Sequence, residues 1–175
     1  MLTMDGLRLI PDGRRLEIRK LNGWKLKQKA KRVFRTDSVC HWKKNFSGIA
    51  TPRTFFNVFE LKSNATLLEV FSTMPGEWRK KCCSVNQVIE FCATYPEFLS
   101  QEWGQTFFLA KKNERHRKQV IDTENPEKNL YVFCVTASGK AIILEERILD
   151  KTYTLYGITG HRFVVPKRRR LNPGV

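Results

Sequence analysis

Residues 129–165 constrain the fold most strongly, because short apolar runs recur there between turn-forming and charged residues. The runs are 131–135, 141–144, 152–158 and 163–165. Runs of β-branched and aromatic residues separated in this way are typical of an antiparallel meander. The run 131–135 is apolar on both alternations. We therefore expect it to form a strand in the middle of a sheet, covered on both faces.

Helix signals precede this region. Thr66 with Glu69 and Ser84 with Gln87 each match a capping box, in which two side chains bond the free amides at a helix start. Apolar residues at helical spacing follow both boxes, and a third short helix is predicted over 96–103. Strands are predicted over 53–61 and 106–110. The predicted fold class is α+β, an antiparallel sheet with two or three short helices packed on one face.

The N-terminal region is predicted to begin with a hairpin of 7–10 and 14–21, turned at Pro11-Asp12-Gly13. Residues 24–35 fit two periods. A strand would align four lysines on one face, whereas a helix would form an apolar stripe of Leu26, Ala30, Val33 and Phe34. A two-residue turn at 22–23 would place apolar residues opposite lysines, which favours the helix.

The length of 175 residues predicts a single domain over 1–165, including a basic N-terminal region over 1–44, followed by a basic tail over 166–175. The five cysteines are odd in number and contain no Cys-x-x-Cys pair, so they predict a reducing compartment rather than a disulfide framework. Secretory and membrane-spanning patterns are not found. We therefore expect an intracellular protein of the cytoplasm or nucleus.

Positive charge is concentrated outside the predicted sheet. The chain carries a formal charge of +15, and residues 1–44 alone hold thirteen Lys or Arg against four Asp or Glu. Residues 120–160, which include most of the meander, hold four basic and six acidic side chains. Clustered cations predict binding of nucleic acid, a nucleoprotein or another polyanion. Solubility through net charge is the alternative explanation.

The candidate nucleic-acid-binding residues are the clustered cations, which supply phosphate contacts. They are Arg14, Arg15, Arg19, Lys20, Lys25, Lys27, Lys29, Lys31, Arg32, Lys43, Lys44, Arg79, Lys80, Lys81, Arg115, Arg117 and Lys118. Aromatic residues interleave them, namely Trp24, Phe34, Trp42, Phe46 and Trp78, and a role in the core is favoured over base stacking. A separate basic run resembles a nuclear import signal: Lys167, Arg168, Arg169 and Arg170.

Catalytic and metal-binding patterns are weak. The three histidines, His41, His116 and His161, have no partner at zinc-ligand spacing. No phosphate-binding loop or dinucleotide motif occurs. We predict a non-enzymatic protein without cofactor or metal. A metal-dependent nuclease stays an alternative, because three acids lie close to Lys128: Asp122, Glu124 and Glu127.

The predicted strands and helices over residues 53–110 follow the same order as those of a known family. Phe55-Phe56-Asn57-Val58 leads to Lys62-Ser63-Asn64, followed by a predicted helix ending near Trp78, a second helix and a strand. This order is similar to the opening of the matrix proteins of rhabdoviruses, and Ala137-Ser138-Gly139 is similar to a stretch near that family's C terminus. The resemblance implies a basic, non-enzymatic viral protein that condenses a ribonucleoprotein and contacts an anionic membrane.

The helical interpretation of 24–35 locates the main site. If the apolar stripe docks on the sheet or its helices, Lys25, Lys29 and Arg32 point outward. We expect these three, with Arg14, Arg15, Lys43 and Lys44 nearby, to form the main anionic-partner site. The C-terminal basic run is expected to act separately.

Overall fold

The computed structural model describes residues 3–10, 15–20, 23–34, 51–101, 103–111, 130–138, 141–149 and 151–167. Its strands are β1 (Leu7–Ile10), β2 (Leu16–Ile18), β3 (Thr54–Leu61), β4 (Ala65–Thr66), β5 (Thr106–Lys111), β6 (Leu130–Ser138), β7 (Ala141–Ile148), β8 (Thr154–Leu155) and β9 (Arg162–Lys167). Its helices are α1 (Gly23–Val33), α2 (Leu67–Thr73), α3 (Trp78–Lys81) and α4 (Val85–Thr94). Short 3-10 turns lie at Met4–Gly6, Pro96–Phe98 and Gly157–Thr159.

The main sheet is open and mostly antiparallel. Its strand order is β1-β3-β9-β5-β6-β7, with β2 also pairing with β3. Only the β5–β9 pair of this described sheet is parallel. The short strands β4 and β8 form a separate antiparallel ribbon. The predicted α+β class with an antiparallel sheet is confirmed.

The interior strands are covered on both faces, as their continuous apolar sequence predicts. On β6, Phe133 and Val135 belong to one buried cluster, and Val132 and Cys134 belong to the other. Two short helices, α1 and α4, pack together on the first face. Another, α2, covers the opposite face together with the β4–β8 ribbon, so the prediction that the helices pack on one face is wrong. Both faces need cover because alternate side chains of each interior strand are apolar.

The predicted capping boxes are confirmed at both helix starts. The Glu69 amide donates to Thr66 Oγ1 at 3.2 Å, and the Thr66 amide donates to the Glu69 carboxylate at 2.9 Å. At α4 the Gln87 amide donates to Ser84 Oγ at 3.3 Å, and the Ser84 amide donates to Gln87 Oε1 at 2.8 Å. These local bonds satisfy amides that have no partner inside the helix.

The prediction of a helix over 96–103 is wrong, because among the described residues of this range only Pro96–Phe98 form a helical turn. Leu99 then adopts an extended conformation. The amide of the buried Ser100 donates to Thr106 Oγ1 at 2.7 Å, and its hydroxyl donates to the Gly160 carbonyl at 2.7 Å. These tertiary bonds turn the backbone away from a helical path.

The helical interpretation of 24–35 is confirmed by α1. Leu26, Ala30 and Phe34 are buried, and Val33 packs against the same cluster. Their spacing places them on one side of the helix, which faces α4. A short helix of this kind depends on such packing, since it is marginal alone in water.

The N-terminal hairpin prediction is wrong. β1 and β2 do not pair with each other but both pair antiparallel with β3, β1 along residues 58–61 and β2 along residues 54–56. The eight-residue β3 is long enough to take both short strands in succession. An isolated two-stranded hairpin would leave their apolar faces without this partner.

The C-terminal region begins as the predicted meander, with the hairpin of β6 and β7, and then departs from it. The predicted strand over 152–158 is reduced to β8, and β9 crosses to lie between β3 and β5. β7 carries charged residues and lies at the sheet edge, whereas Phe163, Val164 and Val165 are buried and require an interior position. The strand also includes Pro166 and Lys167, which were predicted to belong to the tail.

Candidate functional site

Several strands bring cations to one end of the sheet, which we call the basic end. β2 ends at Ile18, opposite Thr54 at the start of β3, and Phe55 lies opposite Lys167 at the end of β9. β5 runs parallel to β9 and ends at Lys111. The basic end comprises the cations at or beside these strand ends: Arg15, Arg19, Lys20, Arg53, Lys111 and Lys167.

Two arginines at this end are held over an aromatic ring by one carboxylate. Arg53 donates to Glu17 Oε2 at 2.8 Å and also contacts Oε1, while Arg15 Nε lies 3.8 Å from Oε2. The guanidinium carbons of Arg15 and Arg53 lie 4.1 and 5.4 Å from the centre of the Phe55 ring. Stacking on the ring and the bonds to the carboxylate orient both guanidinium groups.

The strand register brings Lys167, the first residue of the C-terminal basic run, to the same place. Glu17, Phe55 and Lys167 are cross-strand partners on β2, β3 and β9, so they form a row across one face of the sheet. Adjacent strands lie about 4.8 Å apart, which separates Glu17 from Lys167 by about 10 Å. Arg168, Arg169 and Arg170 follow Lys167 in sequence but lie outside the described residues.

The cations around Glu17 favour the ionised form of its carboxyl group. The hydrogen bond from Arg53 holds the pKa of Glu17 below its usual range, and the charges of Arg15 and Arg19 lower it further. The side chains of Arg15 and Arg53 are 64% and 51% exposed. A single carboxylate therefore neutralises only part of the positive charge, and the two guanidinium groups stay accessible to an external anion.

The predicted anion-binding cations of α1 differ in whether they are free to contact a partner. Lys29 Nζ lies 2.7 Å from a carboxylate oxygen of Glu90 on α4, so its charge is already paired. Lys31 and Arg32 are exposed. Lys25 and Lys27 lie within α1, but their side chains fall outside the description. Lys25, Lys29 and Arg32 were predicted to point outward, but Lys29 forms an ion pair that links α1 to α4.

The predicted α3 cations also separate into three cases. Arg79 is exposed, Lys80 forms an ion pair with Glu77, and Lys81 is only 5% exposed. Lys81 Nζ donates to the Phe71 carbonyl at 2.7 Å and lies 4.9 Å from the centre of the Trp78 ring. Burial lowers the pKa of Lys81. This lysine joins α3 to α2, and its burial keeps it from a surface phosphate.

The remaining predicted cations lie outside the described residues. They are Arg14, Lys43, Lys44, Arg115, Arg117, Lys118, Arg168, Arg169 and Arg170. The same holds for the possible nuclease acids Asp122, Glu124 and Glu127, and for Trp42, Phe46, His41 and His116.

Glu17, Arg53, Phe55 and Lys111 are the site residues that sequence reasoning missed. Phe55 appears in the sequence as one of several strand aromatics, Arg53 as an isolated cation at the start of the predicted strand 53–61, and Lys111 as the residue after the predicted strand 106–110. The roles of Arg53 and Phe55 depend on the pairing of β2 with β3, which places Glu17 opposite Phe55 and beside Arg53. A basic residue at the first position of a predicted strand is the one local signal for Arg53.

A second ion cluster lies at the other end of the sheet, which we call the opposite end. It comprises Arg8, Glu60, Lys62, His161 and Arg162. Arg8 donates to Glu60 at 3.1 Å, and Lys62 also contacts this carboxylate. Burial disfavours the ionised form, but Lys62 and Arg8 outweigh it and hold the pKa of Glu60 below its usual range. Arg162 Nη1 donates to the carbonyls of Glu97 and Leu99 at 3.1 and 2.9 Å.

The described histidine and thiols occupy structural positions. His161 is 7% exposed, and its Nδ1 accepts the Gln105 amide at 3.1 Å. Burial raises the pKa of Cys82 to about 11 and that of Cys134 to about 12, which leaves both as neutral thiols. Cys92 and Cys134 are buried, as predicted for small core residues. Within the described ranges, no cluster of His, Cys, Asp or Glu could hold a metal ion.

None of the described helices is both long enough and apolar enough to cross a membrane. Comparison with protein-family models, curated proteins and solved structures finds no match.

Proposed function

We propose that this chain is a non-enzymatic, intracellular protein that binds nucleic acid, alone or in a nucleoprotein, through phosphate contacts at the basic end. The observation that carries this proposal is the convergence of sequence-distant cations. Arg15, Arg53 and Lys167 are far apart in the chain, yet they meet at one end of three adjacent strands. Arg15 and Arg53, which precede β2 and β3, contact the carboxylate of Glu17, and Lys167 on β9 lies two strands from it. Charge from separate segments collected on one surface is the arrangement that a polyanion requires.

The form of the cluster supports a polymeric ligand. The row from Glu17 to Lys167 spans about 10 Å across three strands, so it offers cations to more than one phosphate. Arginine presents planar, bidentate donors to phosphate oxygens, and the Phe55 ring holds two such groups in place. Each neutralised phosphate also releases counterions, which makes binding tighter at low salt.

The test is a titration of fluorescent DNA and RNA oligonucleotides over a salt series. A basic-end variant carries Arg15→Gln, Arg53→Gln and Lys167→Gln. We expect its affinity to fall at least about tenfold at moderate salt, with a salt slope lower by about two to three units. Its melting temperature should change little, because all three side chains are exposed.

At the opposite end, Arg8→Gln and Lys62→Gln provide a control. Like the basic-end variant, the control removes two cations beside one carboxylate, and Lys151→Gln, at an exposed position after β7, matches the change in net charge. We expect the control to retain nearly all of the affinity. Absence of binding at low salt, a flat salt response, or equal losses in both variants would contradict the proposal.

The surface of α1 is the rival location predicted from the sequence. Lys25→Gln, Lys31→Gln and Arg32→Gln together remove cations of this helix while keeping the Lys29–Glu90 ion pair. If this variant loses binding and the basic-end variant does not, the site lies on α1.

The import role of Lys167, Arg168, Arg169 and Arg170 stays a prediction, to be tested by nuclear accumulation of a fluorescent fusion.

A matrix-type protein that bridges a nucleoprotein and an anionic membrane is the second candidate. It needs a second contact surface, and the loops at the opposite end expose Trp103, Tyr156 and Ile158 at 86%, 58% and 95%. Aromatic and aliphatic side chains of this kind favour a membrane interface. Flotation with anionic vesicles tests this role, and Trp103→Ser with Ile158→Ser should abolish it.

The nuclease alternative predicts cleavage of plasmid with Mg²⁺ that Glu124→Ala and Glu127→Ala remove.

A further inference from the structure

A cavity of about 690 Å³ opens beside the basic end, between the end of β2 and the last turn of α4. Arg19, Lys20 and Arg53 line one side, and Glu90, Thr94 and Tyr95 line the other. Cavities of about 300–1,000 Å³ are typical of small-molecule sites, so this one is large enough for a nucleotide unit.

The walls of this cavity are held by bonds between elements. Tyr95 Oη accepts the Glu17 amide at 2.9 Å and donates to the Glu17 carbonyl at 2.8 Å, which ties α4 to the edge of β2. Glu90 accepts from Lys29 Nζ at 2.7 Å and from Thr94 Oγ1 at 3.3 Å. These bonds hold β2, α1 and α4 in place relative to one another, and exposed side chains of Arg19, Lys20, Arg53 and Thr94 complete the lining.

The two sides differ in chemistry in a way that suits one nucleotide. The exposed cations Arg19, Lys20 and Arg53 present donors for phosphate oxygens. Across the cavity, the Glu90 carboxylate, which pairs with Lys29, keeps lone pairs that can accept from donors on a base edge. The Thr94 hydroxyl, which donates to Glu90, can accept a further hydrogen bond. A ligand with an anionic group and a polar ring edge satisfies both sides, whereas a bare phosphate uses only one.

We propose that this cavity receives an unpaired nucleotide, so that the preferred ligand of the basic end is single-stranded nucleic acid. The inference rests on the proposed function and specifies its substrate class. In a duplex the bases are paired and stacked inside a convex surface, so a base reaches a recessed cavity only after it is unpaired and flipped out. A single strand presents its bases without that cost and gains the same phosphate contacts.

The test compares single-stranded and duplex oligonucleotides of the same length and sequence, at one salt concentration. We expect the unmodified protein to bind the single strand at least about tenfold more tightly. Thr94→Trp fills the cavity from an exposed position and should remove this preference, leaving duplex affinity and its salt slope unchanged. Ser72→Trp, an exposed position on α2 at the other face of the sheet, should change neither affinity.

Equal affinity of the unmodified protein for single strand and duplex would overturn this inference, whether or not Thr94→Trp folds. So would a loss of both affinities to the same degree in a folded Thr94→Trp variant. The two proposals fail separately. If strand preference is absent but the basic-end variant still loses binding, the proposed function stands and the nucleotide cavity is wrong. If the basic-end variant binds normally, the proposed function itself is wrong.

Discussion

The two ends of the sheet carry similar ion clusters with different surroundings. At the basic end, Glu17 lies among Arg15, Arg19 and Arg53. At the opposite end, Glu60 lies among Arg8, Lys62 and Arg162. Each carboxylate is partly buried, with its side chain 21% and 13% exposed, and each has a lowered pKa. Each carboxylate thus has three cations around it, so the immediate surroundings of Glu17 and Glu60 are equivalent in charge.

The difference lies in what else the cations contact. Arg162 donates to two backbone carbonyls and is partly desolvated, so its charge serves the structure of the opposite end. Arg15 and Arg53 contact only one carboxylate and one ring among the contacts described here, and both remain more than half exposed. A count of basic residues therefore does not identify a binding surface. The surface is identified by the cations that can still donate hydrogen bonds to a ligand.

The largest expected effect is on stability, from Arg162→Met at the opposite end. The change removes both bonds to the carbonyls of Glu97 and Leu99, and we expect a loss of about 2–3 kcal/mol in the free energy of unfolding. Arg8→Met, whose side chain is 59% exposed, should cost less than about 1 kcal/mol. Urea denaturation measures both, and neither change should weaken binding of nucleic acid. Equal costs would show that the opposite end does not depend on Arg162.

A smaller loss is expected from Tyr95→Phe beside the basic end. The hydroxyl bonds both backbone groups of Glu17 on the edge strand β2, and its removal should cost about 1–2 kcal/mol. Because Arg15 and Arg19 of the basic end flank β2, binding should also weaken. Thermal unfolding and the oligonucleotide titration measure the two effects. Full affinity with reduced stability would show that the position of β2 does not matter for binding.

The pH dependence of stability should also distinguish the opposite end from the basic end, because His161 lies at the opposite end. Burial and the nearby charge of Arg147 lower the pKa of His161 below its usual value of 6.5. The folded state therefore favours the neutral ring, whose Nδ1 accepts the Gln105 amide. The stability that the neutral ring gives to the folded state is complete above about pH 6.5 and is lost as the pH falls toward the lower folded-state pKa. Melting temperature should decrease over this range, and His161→Asn, which keeps an acceptor without titrating, should remove that part of the decrease.

The smallest expected effect sharpens the comparison most directly. Glu17→Gln removes the one carboxylate that competes with phosphate for Arg15 and Arg53, so affinity for nucleic acid should rise by about two- to fivefold. Glu60→Gln removes the same charge at the opposite end and should leave affinity unchanged within error. Weaker binding after Glu17→Gln would instead mean that the carboxylate chiefly positions the guanidinium groups.

Local features of the fold were predictable because their physical causes lie within a few residues. The capping boxes of Thr66 and Ser84 and the apolar stripe of α1 depend on spacing along the chain, and all three are confirmed. The two-sided burial of β6 also follows from its sequence alone. The hairpin of β1 with β2 failed because strand pairing depends on a partner more than thirty residues away.

The candidate site was predictable in composition but not in arrangement. Arg15, Arg19, Lys20 and Lys167 were identified as cations, yet the sequence could not indicate that Lys29 pairs with Glu90 or that Lys81 is buried. Nor could it place Lys167 two strands from Glu17 instead of on a separate tail.

The sequence by itself determined the fold class, the helix starts, the apolar character of the interior strands and the excess of positive charge. These properties depend on composition and short-range periodicity. Only the tertiary structure decided the strand order, and with it which cations meet at one end of the sheet. Register is a long-range property, set by packing both faces of β3 and β9 at once. For that reason the convergence of Arg15, Arg53 and Lys167 becomes visible only in the folded chain.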